Sequence, residues 1–163
     1  MGLTMTFNVA EWANQVEAAH DRVAQAIRPA AQAGAQVLYQ AVLRNVQALG
    51  TVTGNLQSSI YQKFSADNSV SVDVGGNKSL SSLAVYHVSW NTRKAPHGHL
   101  IEYGHIQKYV VYKNKDGEFR TSKRLLKTPK QIPAKPFIRP AQALMPQALA
   151  AAEAKFYEVI RGA

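Results

Sequence analysis

The chain contains no cysteine. That absence excludes disulfide frameworks, thiolate zinc sites and cysteine nucleophiles together. Acids are also scarce, with ten Asp and Glu against 19 Lys and Arg, a formal charge of +9. Carboxylates this few and this scattered leave no obvious home for a paired-carboxylate active site. No apolar run approaches the roughly 18 residues of a membrane span. Met1 to Ala10 lacks the basic start and apolar stretch of a signal peptide, so the expectation is a soluble, non-secreted protein without a membrane partner. Charged residues make up 18% and hydrophobic ones 46%, a globular rather than a disordered composition. A length of 163 residues suits one domain spanning 1–163, with a core of its own.

Further enzyme signatures are missing. There is no glycine loop ending in Lys-Ser/Thr to cradle phosphate, and Gly75-Gly76 is too short for a dinucleotide fingerprint. No serine sits in a Gly-x-Ser-x-Gly elbow. The one cluster with chemical potential is His97-Gly98-His99, followed by Glu102 and His105. Imidazole and carboxylate are suitable ligands for a divalent ion, and a metal-dependent enzyme would have to use these four residues. The spacing argues against it. If Leu100 to Tyr103 is a strand, His97 and His99 share one face while Glu102 falls on the other. The histidines are therefore expected to pack or cap locally, and Glu102, set in an apolar segment, to form a structural ion pair with a lysine or arginine. No catalytic residue, metal or cofactor is expected.

What the sequence does have is concentrated positive charge. Ten basic residues lie between Lys108 and Arg139, namely Lys108, Lys113, Lys115, Arg120, Lys123, Arg124, Lys127, Lys130, Lys135 and Arg139. The same segment holds only Asp116 and Glu118, so it carries +8 and the remainder is close to neutral. Such a stripe attracts polyanions at long range, with salt-dependent binding; a solvated lysine-rich loop would have the same composition.

The pattern along the chain predicts an α+β domain. Residues 8–50 read as helix, with an apolar stripe through Val9, Trp12, Val16, Ala19, Val23 and Ile27 that continues through Ala31, Leu38, Val42, Val46 and Leu49. Pro29 predicts either a kinked long helix or two helices meeting near Arg28, and Gly50 a stop. Residues 61–121 read as a small, mostly antiparallel sheet: Val70, Val72 and Val74 alternate with polar residues, Gly75-Gly76-Asn77 closes that strand, and Leu83 to Trp90, Leu100 to Tyr103 and Tyr109 to Tyr112 follow. Asp116-Gly117 predicts a type I′ hairpin tip. Residues 121–135, polar, basic and broken by Pro129 and Pro133, predict a long loop. A C-terminal helix is expected over 137–161, with Pro146 kinking or delaying its start and Leu149, Ala152, Phe156 and Val159 as its buried stripe. The long kinked N-terminal helix and the C-terminal helix are expected to pack on the sheet.

Three local patterns carry a family resemblance. Thr53-Gly54-Asn55-Leu56 with Ser58-Ser59-Ile60 follows the helical region. His97-Gly98-His99-Leu100-Ile101-Glu102-Tyr103-Gly104-His105 follows the strands. Pro133-Ala134-Lys135-Pro136-Phe137-Ile138-Arg139-Pro140-Ala141 leads into the last helix. In this order they resemble the head–tail joining and tail-completion proteins of long-tailed bacteriophages, a group that includes lambdoid minor tail components and is similar to lambda's tail-completion protein Z. The resemblance covers about residues 5 to 161. His105 is a departure, since the family often has threonine after the glycine. The resemblance implies a non-enzymatic virion protein of the neck or upper tail, assembled in the host bacterial cytoplasm. It implies a six-fold ring, or attachment to one, with genomic DNA passing through the lumen and the tail terminator, head-completion or stopper ring and tail tube as partners. Its motif residues here are Thr53, Gly54, Leu56, Ser59, His97, His99, Glu102, Gly104, Pro136, Phe137, Arg139 and Pro140.

Within that reading, the basic residues from Lys113 to Arg139 either face DNA in the channel, without reading its sequence, or dock on an acidic ring surface. The contrasting reading is a stand-alone nucleic-acid-binding module built on the same segment. No helix face lined with several Arg or Lys and no strand interleaving aromatics with basic residues in the ribonucleoprotein pattern supports it.

Overall fold

The computed structural model describes residues 9–50, 54–74, 78–117 and 119–162. It has the α+β composition expected. Helix α1 spans Val9–Ala48, α2 Asn55–Ser59, α3 Gly98–Tyr103 and α4 Met145–Gly162. The strands are β1 Ile60–Phe64, β2 Val70–Val74, β3 Lys78–Leu83, β4 Tyr86–Trp90, β5 His105–Lys113 and β6 Phe119–Ile132, and a 3₁₀ turn covers Arg139–Leu144. In place of one sheet, the described strands form three two-stranded sheets: β1 with β4, β2 with β3 and β5 with β6. Among the described residues, no helix is long and apolar enough to cross a membrane.

The chain divides into two compact units. The first comprises Met1–Ala41, Tyr61–Val88 and Ala143–Ala163; the second comprises Val42–Ile60 and Ser89–Gln142. Helix α1, rich in alanine, is continuous from Val9 to Ala48 with Pro29 inside it. Pro29 thus removes one backbone donor without splitting the helix, which corrects the two-helix alternative. The helix ends where Gly50 takes φ 72° and donates its N–H to the Gln47 carbonyl, the left-handed stop that glycine adopts at no steric cost.

In the first unit, the buried face of α1 is made of small residues, with Ala24, Ala26, Ala30 and Ala35 buried while Val23 is exposed. The apolar stripe read from the sequence is therefore rotated there. Gly34 gives the reason: a Cβ at this position would stand 2.9 Å from the Ala148 carbonyl oxygen and 3.4 Å from the Ala152 Cβ of α4. The backbones of α1 and α4 approach closely, and only small side chains fit between them. Helix α4 presents buried Ala148 and half-buried Ala152, Phe156 and Val159, whereas Leu149, expected in that stripe, is exposed. Arg28 lies over the Phe64 ring at 4.2 Å, and Phe64 meets Tyr86 edge-on at 5.4 Å. Strands β2 and β3 pair antiparallel from Val70 opposite Leu83 to Val74 opposite Lys78; the turn expected at Gly75-Gly76-Asn77 lies outside the described residues. The stretch from Leu83 to Trp90, expected as one strand, is divided between the end of β3 and β4.

Three expectations change in the second unit. Leu100 to Tyr103 belongs to helix α3 and not to a strand. Residues 121–132 are not loop but most of β6, which pairs antiparallel with β5 from His105 opposite Ile132 to Lys113 opposite Phe119. Ladder hydrogen bonds thus order a polar segment that composition alone reads as irregular. Two register shifts let the 14 residues of β6 face the nine of β5. The tip differs as well: the Gly117 N–H donates to the Asn114 carbonyl at 3.1 Å, and Gly117 has φ 84° while no described non-glycine residue has positive φ. A type I′ turn needs positive φ at both central residues, so Lys115 and Asp116 exclude it. The C-terminal helix starts at Met145 rather than 137, after the 3₁₀ turn, with Pro146 in its first turn, where proline is tolerated.

Substituting Gly34 with valine is expected to destabilise the protein by about 1 to 3 kcal/mol through overpacking against the Ala148 carbonyl. Chemical denaturation measures this, and an unchanged midpoint would show that α1 and α4 do not pack this closely.

Candidate functional site

The second unit gathers the family-motif segments around one buried ring. Phe137 has no exposed surface and meets Trp90 of β4 edge-to-face at 5.6 Å. Its carbonyl accepts a hydrogen bond from Asn45 Nδ2 at 2.9 Å. A Cβ on Gly98 would fall 2.4 Å from Trp90 Nε1, so only glycine lets α3 begin against the indole. Gly104 ends α3 with φ 72°, and a Cβ there would lie 2.7 Å from the Ile132 carbonyl oxygen. Gly98 is fixed by the Trp90 side chain, Gly104 by close backbone approach and positive φ. On the other side, Ser59 is buried with its Oγ donating to the Leu56 carbonyl at 2.7 Å. Its own carbonyl accepts the Asn91 N–H at 2.8 Å.

Glu102 ties these segments together. It is 1% exposed, near the end of α3. Its Oε2 accepts the backbone N–H groups of Phe137 at 2.7 Å and Ile138 at 3.0 Å. Its Oε1 accepts the backbone N–H of Arg139 at 3.1 Å and the Arg139 Nε–H at 3.2 Å. Arg139 Nη2 donates in turn to the Glu102 carbonyl at 2.6 Å, and its guanidinium lies 5.2 Å from the Tyr103 ring centre. One Lys135 N–H to Ile101 carbonyl bond, at 2.8 Å, continues the contact. Burial by itself raises the Glu102 pKa, but the N–H groups of Ile138, Phe137 and Arg139 and the Arg139 side chain outweigh it and hold the carboxyl below its ordinary value of 4.5. The arrangement is an ionised carboxylate closing three successive N–H groups and a guanidinium, with its lone pairs fully engaged. It has structural capacity and no free valence for acid–base work.

The remaining motif residues occupy supporting places. His97 precedes α3 and accepts the Leu100 and Ile101 N–H groups through its carbonyl; its side chain makes no capping bond, and both His97 and His99 are exposed. Because α3 is a helix, the strand-based division of His97 and His99 from Glu102 does not apply. Among the described residues, no three His, Asp or Glu side chains are grouped to hold a metal ion. Gly54 takes φ 70° just before α2. Leu56 and Pro136 are half-buried and Pro140 is exposed; Thr53 lies outside the described residues.

The basic residues fall into two groups. Lys113, Lys115, Arg120, Lys123, Arg124, Lys127 and Lys130 are exposed along the β5–β6 hairpin, and Lys135 follows it, also exposed. Arg139, counted with them from the sequence, is also exposed, by 50% of its side chain, and is hydrogen-bonded to Glu102. The sequence signals for an ion pair at Glu102 were its isolation in an apolar segment and the basic stretch downstream. Nothing local indicated that the carboxylate would also collect three backbone N–H groups.

A family model described as "Bacteriophage HK97-gp10, putative tail-component" matches residues 10–104. That span contains the first motif segment and the second up to Gly104, including Glu102. The third, with Phe137 and Arg139, and the basic hairpin beyond Gly104 lie outside it. No curated protein and no solved structure matches the chain.

Replacing Glu102 with glutamine is expected to lower stability at neutral pH by about 1.5 to 3 kcal/mol, the scale of hydrogen bonds to a charged group. Since the folded carboxyl titrates below 4.5, its contribution is complete above that pH and declines as pH falls through the depressed value. Denaturation at pH 7 and pH 3 should therefore show the gap between parent and Glu102→Gln narrowing with acid; a constant gap would exclude an ionised Glu102.

Proposed function

The chain belongs to the HK97-gp10-like bacteriophage tail-component family, and from that premise we propose that it acts in head–tail joining or tail completion, as one subunit of a six-fold ring around the DNA channel. The observation that carries this reading is the Glu102 clamp, which joins the matched region to the Pro-Phe-Ile-Arg-Pro segment beyond it. Two of the three patterns that resemble those of joining and completion proteins are thereby tied together by direct hydrogen bonds. In this reading the protein is a structural, non-enzymatic part of the virion neck or upper tail, assembled in the host bacterial cytoplasm. Its partners are the tail terminator, the head-completion or stopper ring and the tail tube, with non-specific contact to genomic DNA.

The exposed basic hairpin supports a place beside a polyanion or an acidic protein. It would equally serve a stand-alone nucleic-acid-binding protein, and one experiment separates the two. Electron microscopy of particles from the source phage with this gene disrupted is expected to show filled heads and finished tails lying unjoined, or joined particles that leak or fail to inject. Normal, infectious virions would reject the assembly role and leave the nucleic-acid-binding reading.

A further inference from the structure

The β5–β6 hairpin carries more than charge. Tyr109 stands opposite Leu125, Val111 opposite Thr121 and Lys113 opposite Phe119. Opposed residues share a face of a two-stranded ribbon, and alternate residues along β5 fall on that same face. Tyr109, Val111, Phe119 and Leu125 therefore form one apolar face, and all four are exposed, Phe119 by 60% and Leu125 by 63%. Among the described residues, no third strand joins this ribbon. Lys113 reaches over the Phe119 ring at 6.0 Å, and the exposed cations of β6 border the patch.

We propose that this face docks on a neighbouring phage protein whose surface has an apolar centre and a carboxylate rim. The inference rests on the assembly reading above and chooses between the two surfaces, DNA or protein, that the basic segment could meet. The apolar residues decide the choice. Backbone phosphates are held by cations and hydrogen-bond donors, and duplex DNA keeps its base faces stacked, so aromatic and aliphatic side chains gain little there. Apolar residues gathered on one exposed face mark a protein contact, with buried aromatics and aliphatics supplying the affinity. Charge complementarity identifies the partner: the hairpin and the residues after it, from Lys108 to Lys135, hold nine basic residues against Asp116 and Glu118. A basic surface would repel those cations, whereas an acidic rim orients the approach and fixes register.

The test compares two variants supplied to a phage lacking its own copy of the gene. Phe119→Thr with Leu125→Thr removes apolar surface and keeps every charge. Lys123→Gln with Arg124→Gln, Lys127→Gln and Lys130→Gln removes charge and keeps the apolar face. Joined, infectious particles are expected to fall roughly tenfold or more with the first variant, and to fall also with the second. Binding of the purified first variant to a short DNA duplex at about 0.15 M salt should match the parent. Parental particle counts from the threonine variant, with failure only of the glutamine variant, would overturn the proposal in favour of DNA. Parental counts from both would leave the hairpin with no partner and overturn it too. Should the double threonine variant lose its melting transition, Leu125→Thr alone carries the same expectation. The gene disruption is the reference: if it leaves normal virions, the assembly reading itself falls. If it abolishes joining while the threonine variant is normal, only the docking face is lost.

Discussion

A single carboxylate holds the second unit of this protein in its form. Glu102 gives up hydration on burial, a cost of several kcal/mol for an unpaired ion, and recovers it from three consecutive backbone N–H groups and a guanidinium. Those N–H groups belong to Phe137, Ile138 and Arg139, so the same interaction seats Phe137 under Trp90 and engages Arg139. The glycines around it follow from that placement. Gly98 lets α3 start against the indole, and Gly104 lets the chain leave α3 beside the Ile132 carbonyl. The strand that begins immediately after Gly104 and the strand that ends at Ile132 are the two arms of the hairpin. The clamp thus stands at the hairpin's base.

The division of labour bears on function. Of the charge that is one stripe in the sequence, Arg139, itself half exposed, is hydrogen-bonded to Glu102, while the lysines and arginines of the ribbon are exposed along its strands. On a surface of this kind charge steers approach and a few desolvated side chains supply affinity. The family match ends at Gly104, so the ribbon, with the Phe137–Arg139 segment and α4, lies in the part of the chain that the match does not cover.

Much of this was legible in the residues. The alternation at Val70, Val72 and Val74, the stop at Gly50 and the helical composition of the first 50 residues each act locally, and each element formed where expected. The ion pair at Glu102 was also legible, because an acid in an apolar segment needs a partner. The failures have non-local causes. Leu100 to Tyr103 is apolar and short, a length at which helix and strand cannot be told apart by period, and two tightly placed glycines decide for helix. Residues 121–132 look like loop because strand pairing with β5, not their own composition, orders them. The rotation of α1's buried face depends on α4 lying against Gly34, which no periodicity in α1 can report. Leu149 is exposed for the same reason: Ala148 and Ala152 are small enough for the close contact, and leucine is not.

Glu102 is ionised and is held so by the chain from Phe137 to Arg139. Carboxyl-carbon NMR of the folded protein, following the Glu102 signal from neutral pH into acid, tests it most directly. The expected result is a carboxylate that remains ionised through pH 4.5, the ordinary value for this side chain, and protonates only at lower pH. A Glu102 signal that titrates at or above 4.5 would mean that burial outweighs the N–H groups, and would contradict the clamp.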